Sequence, residues 1–291
     1  MSKNYGLPYK GSKNKIAEWV VEKLPEADNL YDLFGGGGSI THCAALSGKY
    51  KNIYYNDITP NLTKLFKYTM DGKYKDETRW ISREQFNDPK NQNDMYIKTC
   101  WSFGNNLRSY LYGRDKEPFK KAFHYAVVFN DYSLFENLSI NIQHADPKLS
   151  QKERRLFVQR EIKKIMSNDR GLEELQMLES LQMLESLQRL ERLQSLESNI
   201  FFSEKSYDKI VIKPNSVIYC DIPYKGTSKY LQEFDYDKFY EWALSQKVPV
   251  YISEYSMPED KFECIAEKEK KCSFLSSNNK NTIEKIFIPN K

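Results

Sequence analysis

Between Asn29 and Asp57 the chain reads NLYDLFGGGGSITHCAALSGKYKNIYYND, and the four consecutive glycines limit what this stretch can become. The run before the glycines predicts a strand, Ser39 marks the start of a helix, and residues 52–55 predict a second strand. Strand, glycine turn, helix and strand make a βαβ start. Glycines let the backbone pass close to a bound ligand, and a helix N-terminus behind them offers N–H donors. A tight turn with no ligand explains such a run as well. Asp57 narrows the choice, because an acidic side chain ending the second strand can accept hydrogen bonds from a ribose diol. The pair points to an adenosine-type cofactor and leaves a dinucleotide and S-adenosylmethionine both open.

The same alternation returns near the other end. KIVIKPNSVIYCD supplies one or two strands, DKFYEWALSQ a helix, VPVYISEY a strand and TIEKIFIPN a terminal strand. NKIAEWVVEKL (14–24) has apolar residues at helical spacing and stops before Pro25, so it predicts a helix. Strands alternating with helices at both ends predict an α/β fold with one parallel-type sheet, the middle of the chain being inserted into it. Residues 68–164 are poorly periodic and rich in Asn, Tyr, Phe and Lys. Residues 172–198 place nine leucines at every third position. A helix advances about 100° per residue, so this spacing spirals around all its faces and gives no single apolar stripe. The repeat offers no chemistry; packing or self-association is its expected use.

Bulk properties remove several classes. Five cysteines, an odd number without C-x-x-C spacing, fit a reducing intracellular protein rather than a disulfide scaffold. No apolar stretch reaches the roughly 18 to 20 residues of a membrane span. The three histidines are scattered, and no metal is expected. The net charge of +4 suits nucleic acid without demanding it, so the position of the charges matters more than their sum.

VIYCDIPYKGTSKY (217–230) ends an apolar run on a carboxylate, a proline and an aromatic ring. If that strand lies beside the glycine-loop strand, its carboxyl end opens into the same crevice, where ligands of open α/β sheets sit. Asp221 and the carbonyl of Ile222 can then accept both protons of an exocyclic amine. Tyr224 offers a flat ring for stacking, worth about 1 to 3 kcal/mol per base.

DIPY resembles the D-P-P-Y motif of DNA adenine-N6 methyltransferases, and the order of motifs is similar to that of the Dam-like D12 class. PYKGSK stands at 8–13, FGGGGS at 34–39, Asp57 after Asn56, and DIPY at 221–224. The resemblance implies an S-adenosylmethionine-dependent, Rossmann-like fold with a mostly parallel sheet and an inserted target-recognition domain. Residues 1–66 with 200–291 would be catalytic, and 67–199 would read double-stranded DNA. Tyr9, Lys13, Phe34, Gly35, Gly36, Gly37, Asp57 and Asp221 would hold S-adenosylmethionine, while Asp221, Ile222, Pro223 and Tyr224 would receive the flipped adenine. Ile222 replaces the family's first proline, but the acceptor is a backbone carbonyl that isoleucine still supplies.

Within the insertion, CWSFGNNLRSYLYGRDKEPFKKAFHY (100–125) interleaves Arg108, Arg114, Lys116, Lys120 and Lys121 with Trp101, Tyr110 and Tyr112. Cations hold phosphates, arginine reads guanine edges, and aromatic rings wedge where a base leaves the stack. N-x-L-R-x-Y followed by glycine loosely resembles the family's DNA-contacting hairpin, which places Arg108, Tyr110, Arg114, Lys116 and Lys120 on DNA. KERRLFVQREIKK (152–164) is a second basic run, equally a solvated helix. The rival readings are a cytosine-N4 methyltransferase, which usually has Ser where Asp221 stands, a nicotinamide-dependent oxidoreductase, and a non-catalytic DNA-binding or self-associating relative.

Overall fold

A computed structural model describes residues 5–165, 199–225, 234–270 and 282–290. The leucine repeat and the GTSKY end of VIYCDIPYKGTSKY, residues 226–230, lie outside the described residues. The chain divides into two units, the first containing residues 5–7, 11–72, 199–225, 234–270 and 282–290, the second 8–10 and 73–165.

The first unit is a mixed α/β fold on a seven-stranded sheet. Its strands are β1 (Asn29–Asp32), β2 (Asn52–Asn56), β3 (Asn199–Ser203), β4 (Ser216–Asp221), β5 (Val250–Glu254), β6 (Phe262–Lys270) and β7 (Thr282–Pro289). They lie in the order β3-β2-β1-β4-β5-β7-β6. β1 pairs in parallel with both β2 and β4, with Asp32 opposite Tyr55 on one side and Tyr219 on the other. The pairings from β3 through β2, β1 and β4 to β5 are parallel, as expected, but β7 is antiparallel to β5 and β6, so the sheet as a whole is mixed. The reason is the hairpin of β6 and β7: strands joined that way must run in opposite directions.

β3 and β6 were not expected, and both are edge strands. NIFFS is short, and FECIAEKEK is so charged that it carries no apolar alternation; charge on an edge also discourages pairing with a further strand. The predicted central strands are buried throughout, from Asn29 to Asp32 and from Ser216 to Cys220.

Helix α1 (Ala17–Lys23) lies within the expected 14–24 segment, whose first three residues form a turn, and Leu24 closes it before Pro25. α2 (Ser39–Ser47) and α3 (Leu62–Met70) follow β1 and β2. Phe66 of α3 stacks on Tyr55, with ring centroids 5.1 Å apart. On the other face Tyr31, Ile218, Cys220 and Ile252 pack with Phe239 and Tyr240 of the helix Tyr236–Ser245. Two buried faces explain why β4 reads as a continuous apolar run, Val217–Cys220.

The second unit is helical. It contains α4 (Arg83–Asn87), α5 (Met95–Cys100), α6 (Glu117–Phe129), α7 (Ser133–Asn137) and α8 (Gln151–Ile165), so the first unit's last helix, Tyr236–Ser245, is α9. Trp101, Phe123, Phe135 and Val158 are buried in it. α4 begins with a capping box in which Ser82 and Gln85 satisfy each other's backbone. No helix among the described residues is long and apolar enough to cross a membrane.

Candidate active site

The glycine loop is held by backbone bonds to the neighbouring strands. Leu33 donates to the Tyr219 carbonyl at 3.1 Å and Gly35 to the Asn56 carbonyl at 2.8 Å. Two of its glycines answer to aromatic neighbours: a Cβ on Gly35 would lie 2.2 Å from the Tyr55 ring, and one on Gly38 2.1 Å from the Phe66 ring. Gly38 also caps α2 with a φ of +70°, a conformation that favours glycine. Gly37 accepts a hydrogen bond from Leu7 at 2.6 Å, so the N-terminal segment lies along the loop. Phe34 is half-buried against Tyr207, Phe234 and Phe239.

Asp57 follows the end of β2, as its expected role requires. Its Oδ2 accepts the Gly36 N–H at 2.8 Å and its Oδ1 the Thr59 N–H at 2.8 Å. A carboxylate has about four acceptor positions, so two bonds leave capacity for a diol. Asp32 lies on β1 beside this loop and is fully buried; it accepts the Thr41 hydroxyl at 2.7 Å. Burial, with further help from the charges of Asp221 and Asp57, raises its carboxyl to about 7 against the bonds from Thr41.

At the end of β4, Asp221 meets Lys13. The ammonium is 2.9 Å from Asp221 Oδ1 and 3.6 Å from Glu284 Oε2, and its side chain is only 6% exposed. Burial pulls the Lys13 pKa down, but Asp221 and Glu284 together outweigh it and leave the ammonium held above the ordinary lysine value. The Tyr224 hydroxyl donates to Glu284 Oε2 at 2.6 Å, and the Lys13 ammonium lies 4.5 Å from the centre of the Tyr224 ring. Tyr255 meets that ring edge-on at 4.5 Å. Burial first, then the neighbouring carboxylates, push the Tyr224 phenol far up, so it remains a donor.

The loop after β4 is pinned too. Pro223 gives its carbonyl to the Tyr236 hydroxyl at 2.9 Å, and Lys225 donates its N–H to Glu254 Oε2 at 3.2 Å. Burial raises Glu254 to about 7, against the two backbone N–H groups it accepts. Lys13, Asp57 and Asp221–Tyr224 thus fall within one unit with the glycine loop, whereas Tyr9, half-buried, belongs to the second unit.

The sequence did not single out Asp32, Glu254 or Glu284. Glu284 had a signal: in TIEKIFIPN it shares strand parity with Ile286, and both are buried while Ile283 is exposed. An acidic residue on the inward parity of a strand needs a partner, and Lys13 and Tyr224 are that partner.

In the second unit the basic and aromatic stretch divides. Arg108 and Arg114 are exposed and Lys116 is half-buried at the start of α6. Tyr110 and Lys120 are buried, as are Trp101 and Tyr112, which corrects their expected place at the surface. Tyr110 donates to the Ile81 carbonyl at 2.7 Å and packs against Phe86 and the Arg83 guanidinium. These rings build the core that supports the 102–110 loop. That loop is closed by a Ser102–Tyr110 bridge and by Phe103 donating to Ser109 at 2.9 Å. Its tip turns through positive φ at Gly104, Asn105 and Leu107. Phe103, which the sequence reading passed over, is 53% exposed on it.

Residues 9–143 match the family model described as D12 class N6 adenine-specific DNA methyltransferase. No curated protein matches the chain. The match takes in the motifs from Tyr9 to Asp57, where it bears out the resemblance, while DIPY at 221–224 lies beyond it, and it supports adenine-N6 DNA methylation, a transferase activity with DNA as substrate.

Proposed function

With that family as premise, we propose that the chain transfers a methyl group from S-adenosylmethionine to N6 of an adenine flipped out of double-stranded DNA. In this reading the first unit's sheet is a Rossmann-like methyltransferase sheet. Catalysis belongs to residues 1–66 with 200–291 and target recognition to 67–199. The observation that carries the assignment is the β1–β4 pairing, with Asp32 opposite Tyr219, because it aligns the strand end bearing Asp221 with the strand that feeds the glycine loop.

The donor set suits the cofactor. Lys13 faces two carboxylates, Asp221 and Glu284, so the cluster's charge leans negative and favours a cationic sulfonium over an anionic ligand. S-adenosylmethionine supplies an electrophilic methyl group. Asp57, with acceptor capacity beyond its bonds to Gly36 and Thr59, takes the ribose hydroxyls. The Gly35–Gly37 backbone and Phe34 line the cofactor's side of the loop.

On the substrate side, Asp221 and the Ile222 carbonyl accept the two N6 protons and localise the nitrogen lone pair. Pro223 fixes the turn, held by Tyr236, and Tyr224 stacks on the base. The N6–methyl bond forms as the sulfur–methyl bond breaks. The N6 proton then leaves to Asp221 or water, because the protonated product is strongly acidic. Incubation with methyl-labelled donor and unmethylated mixed-sequence DNA, followed by nucleoside analysis, tests the reading: label belongs in N6-methyladenine. Label in N4-methylcytosine, or none at all, sinks it.

A further inference from the structure

Glu284 comes from β7, far in sequence from every motif above, yet it touches two of the residues those motifs name. Its Oε2 accepts the Tyr224 hydroxyl at 2.6 Å and lies 3.6 Å from the Lys13 ammonium. Its side chain is 2% exposed and Lys13's is 6%. A buried carboxylate is retained only where its partners repay the loss of water, so this placement has a structural reason in both contacts.

We propose that Glu284 is a positioning residue for methyl transfer, fixing the direction of the Tyr224 ring axis through its hydroxyl and holding Lys13 against Asp221 through its charge. The inference rests on the transfer reaction proposed above. A tyrosine ring free to rotate about its side-chain bonds presents its face to a base only part of the time. Three contacts remove that freedom here. Glu284 holds the hydroxyl and with it the ring's axis, while the Lys13 ammonium, 4.5 Å from the ring centre, and the Tyr255 ring, edge-on at 4.5 Å, limit turning about that axis. Lys13 is in turn shared between Glu284 and Asp221, whose separations of 3.6 and 2.9 Å place the ammonium between the carboxylates. One carboxylate on β7 therefore sets both the stacking ring and the amine acceptor.

The two contacts separate by substitution. Glu284→Gln keeps an acceptor for the Tyr224 hydroxyl but discards the charge that faces Lys13. Glu284→Ala discards both, and Tyr224→Phe removes the hydroxyl alone. With the full chain, kcat and KM for DNA are measured for these three variants and for Tyr224→Phe/Glu284→Ala. Glu284→Ala raises KM for DNA about tenfold, the factor a hydrogen bond to a charged group commands. Glu284→Gln restores that KM to near wild type while kcat stays depressed by a similar factor. In the Tyr224→Phe background Glu284→Ala no longer moves KM, because the hydroxyl it acts through is gone.

Equal KM effects of Glu284→Ala in the two backgrounds overturn the proposal, as does wild-type kcat in Glu284→Gln. Should Glu284→Ala fail to fold, the near-isosteric Glu284→Gln decides the matter against Tyr224→Phe: normal KM with low kcat supports it, and raised KM overturns it. A wild-type protein that makes no N6-methyladenine overturns the transfer reading itself, whereas an active wild type with unaffected variants overturns only the role of Glu284.

Discussion

The Lys13 ammonium lies 2.9 Å from the Asp221 carboxylate, joining the start of the chain to the end of β4 across more than two hundred residues of sequence. Both side chains are mostly withdrawn from solvent, Lys13 at 6% and Asp221 at 21% exposure, so neither is a loosely screened surface pair. Removing one partner leaves the other charged and poorly solvated.

Asp221→Ala is therefore expected to abolish methyl transfer and also to lower stability by about 3 kcal/mol, the scale for breaking a buried pair. Asp221→Asn retains the shape and one amine acceptor, so it loses less stability while remaining severely slowed. Labelled-methyl assays and urea unfolding measure the two effects separately. Full turnover in Asp221→Ala would rule out its assigned role.

Gly35→Ala tests the packing account of the glycine loop. Its new Cβ would meet the Tyr55 ring at 2.2 Å, inside any permissible contact. The ring or loop must shift, at a cost of about 1 to 3 kcal/mol. Tyr55 also donates its hydroxyl to the Gly36 carbonyl at 2.6 Å, so the shift reaches the cofactor loop and S-adenosylmethionine binding weakens with stability. Gly48→Ala is the comparison: that site has a φ of +67° and nothing within 4 Å, so only local backbone strain is added. Calorimetric titration showing unchanged cofactor affinity in Gly35→Ala would count against the coupling.

What was legible follows from how each residue meets its surroundings. The 29–57 unit and β4, α9, β5 and β7 were readable because buried strands and an amphipathic helix imprint apolar patterns on the sequence. β3 and β6 left no such imprint, being edge strands. Of the helices of residues 83–165 only α8 was read from sequence, as the basic run 152–164; α4, α5 and α7 are short, and their start signals, such as the Ser82–Gln85 capping box, are only a few residues long. In the site, Asp57, Asp221 and Lys13 were found because motif order carries them. Glu284 was not, because its meaning depends on which strand β7 lies beside. Tyr110 and Lys120 misled for a related reason: amphipathic side chains look like contact residues in one dimension and serve as core in three.

The pH dependence of stability carries a defined sign. Burial raises Asp32 from the ordinary 3.8 and Glu254 from 4.5, each to about 7. Between about pH 4 and pH 7 the unfolded chain has released these two protons while the folded chain retains them, so their contribution to stability falls as pH rises through that window and then levels off. Asp32→Asn removes one share of the fall. Its melting temperature should vary less than that of wild type across this window, and a parallel pair of curves would contradict the assignment.

The exposed arginines of the second unit separate DNA contact from support. Arg108 and Arg114 face solvent, whereas Tyr110 is buried with its hydroxyl on the Ile81 carbonyl. If Arg108 and Arg114 each neutralise a phosphate, replacing either with Ala lowers the slope of log affinity against log salt by about 1. Affinity falls with it most strongly at low salt, where counterion release contributes most. Tyr110→Phe removes a buried hydrogen bond and leaves the Ile81 carbonyl without that donor, costing about 1 kcal/mol of stability with no change in the salt slope. Fluorescence anisotropy of labelled duplex DNA over a salt series, together with thermal melts of the same proteins, distinguishes the two kinds of residue. An unchanged slope in both arginine variants would remove them from the phosphate contacts, and an altered slope in Tyr110→Phe would show that the supporting core also sets how the loop meets DNA.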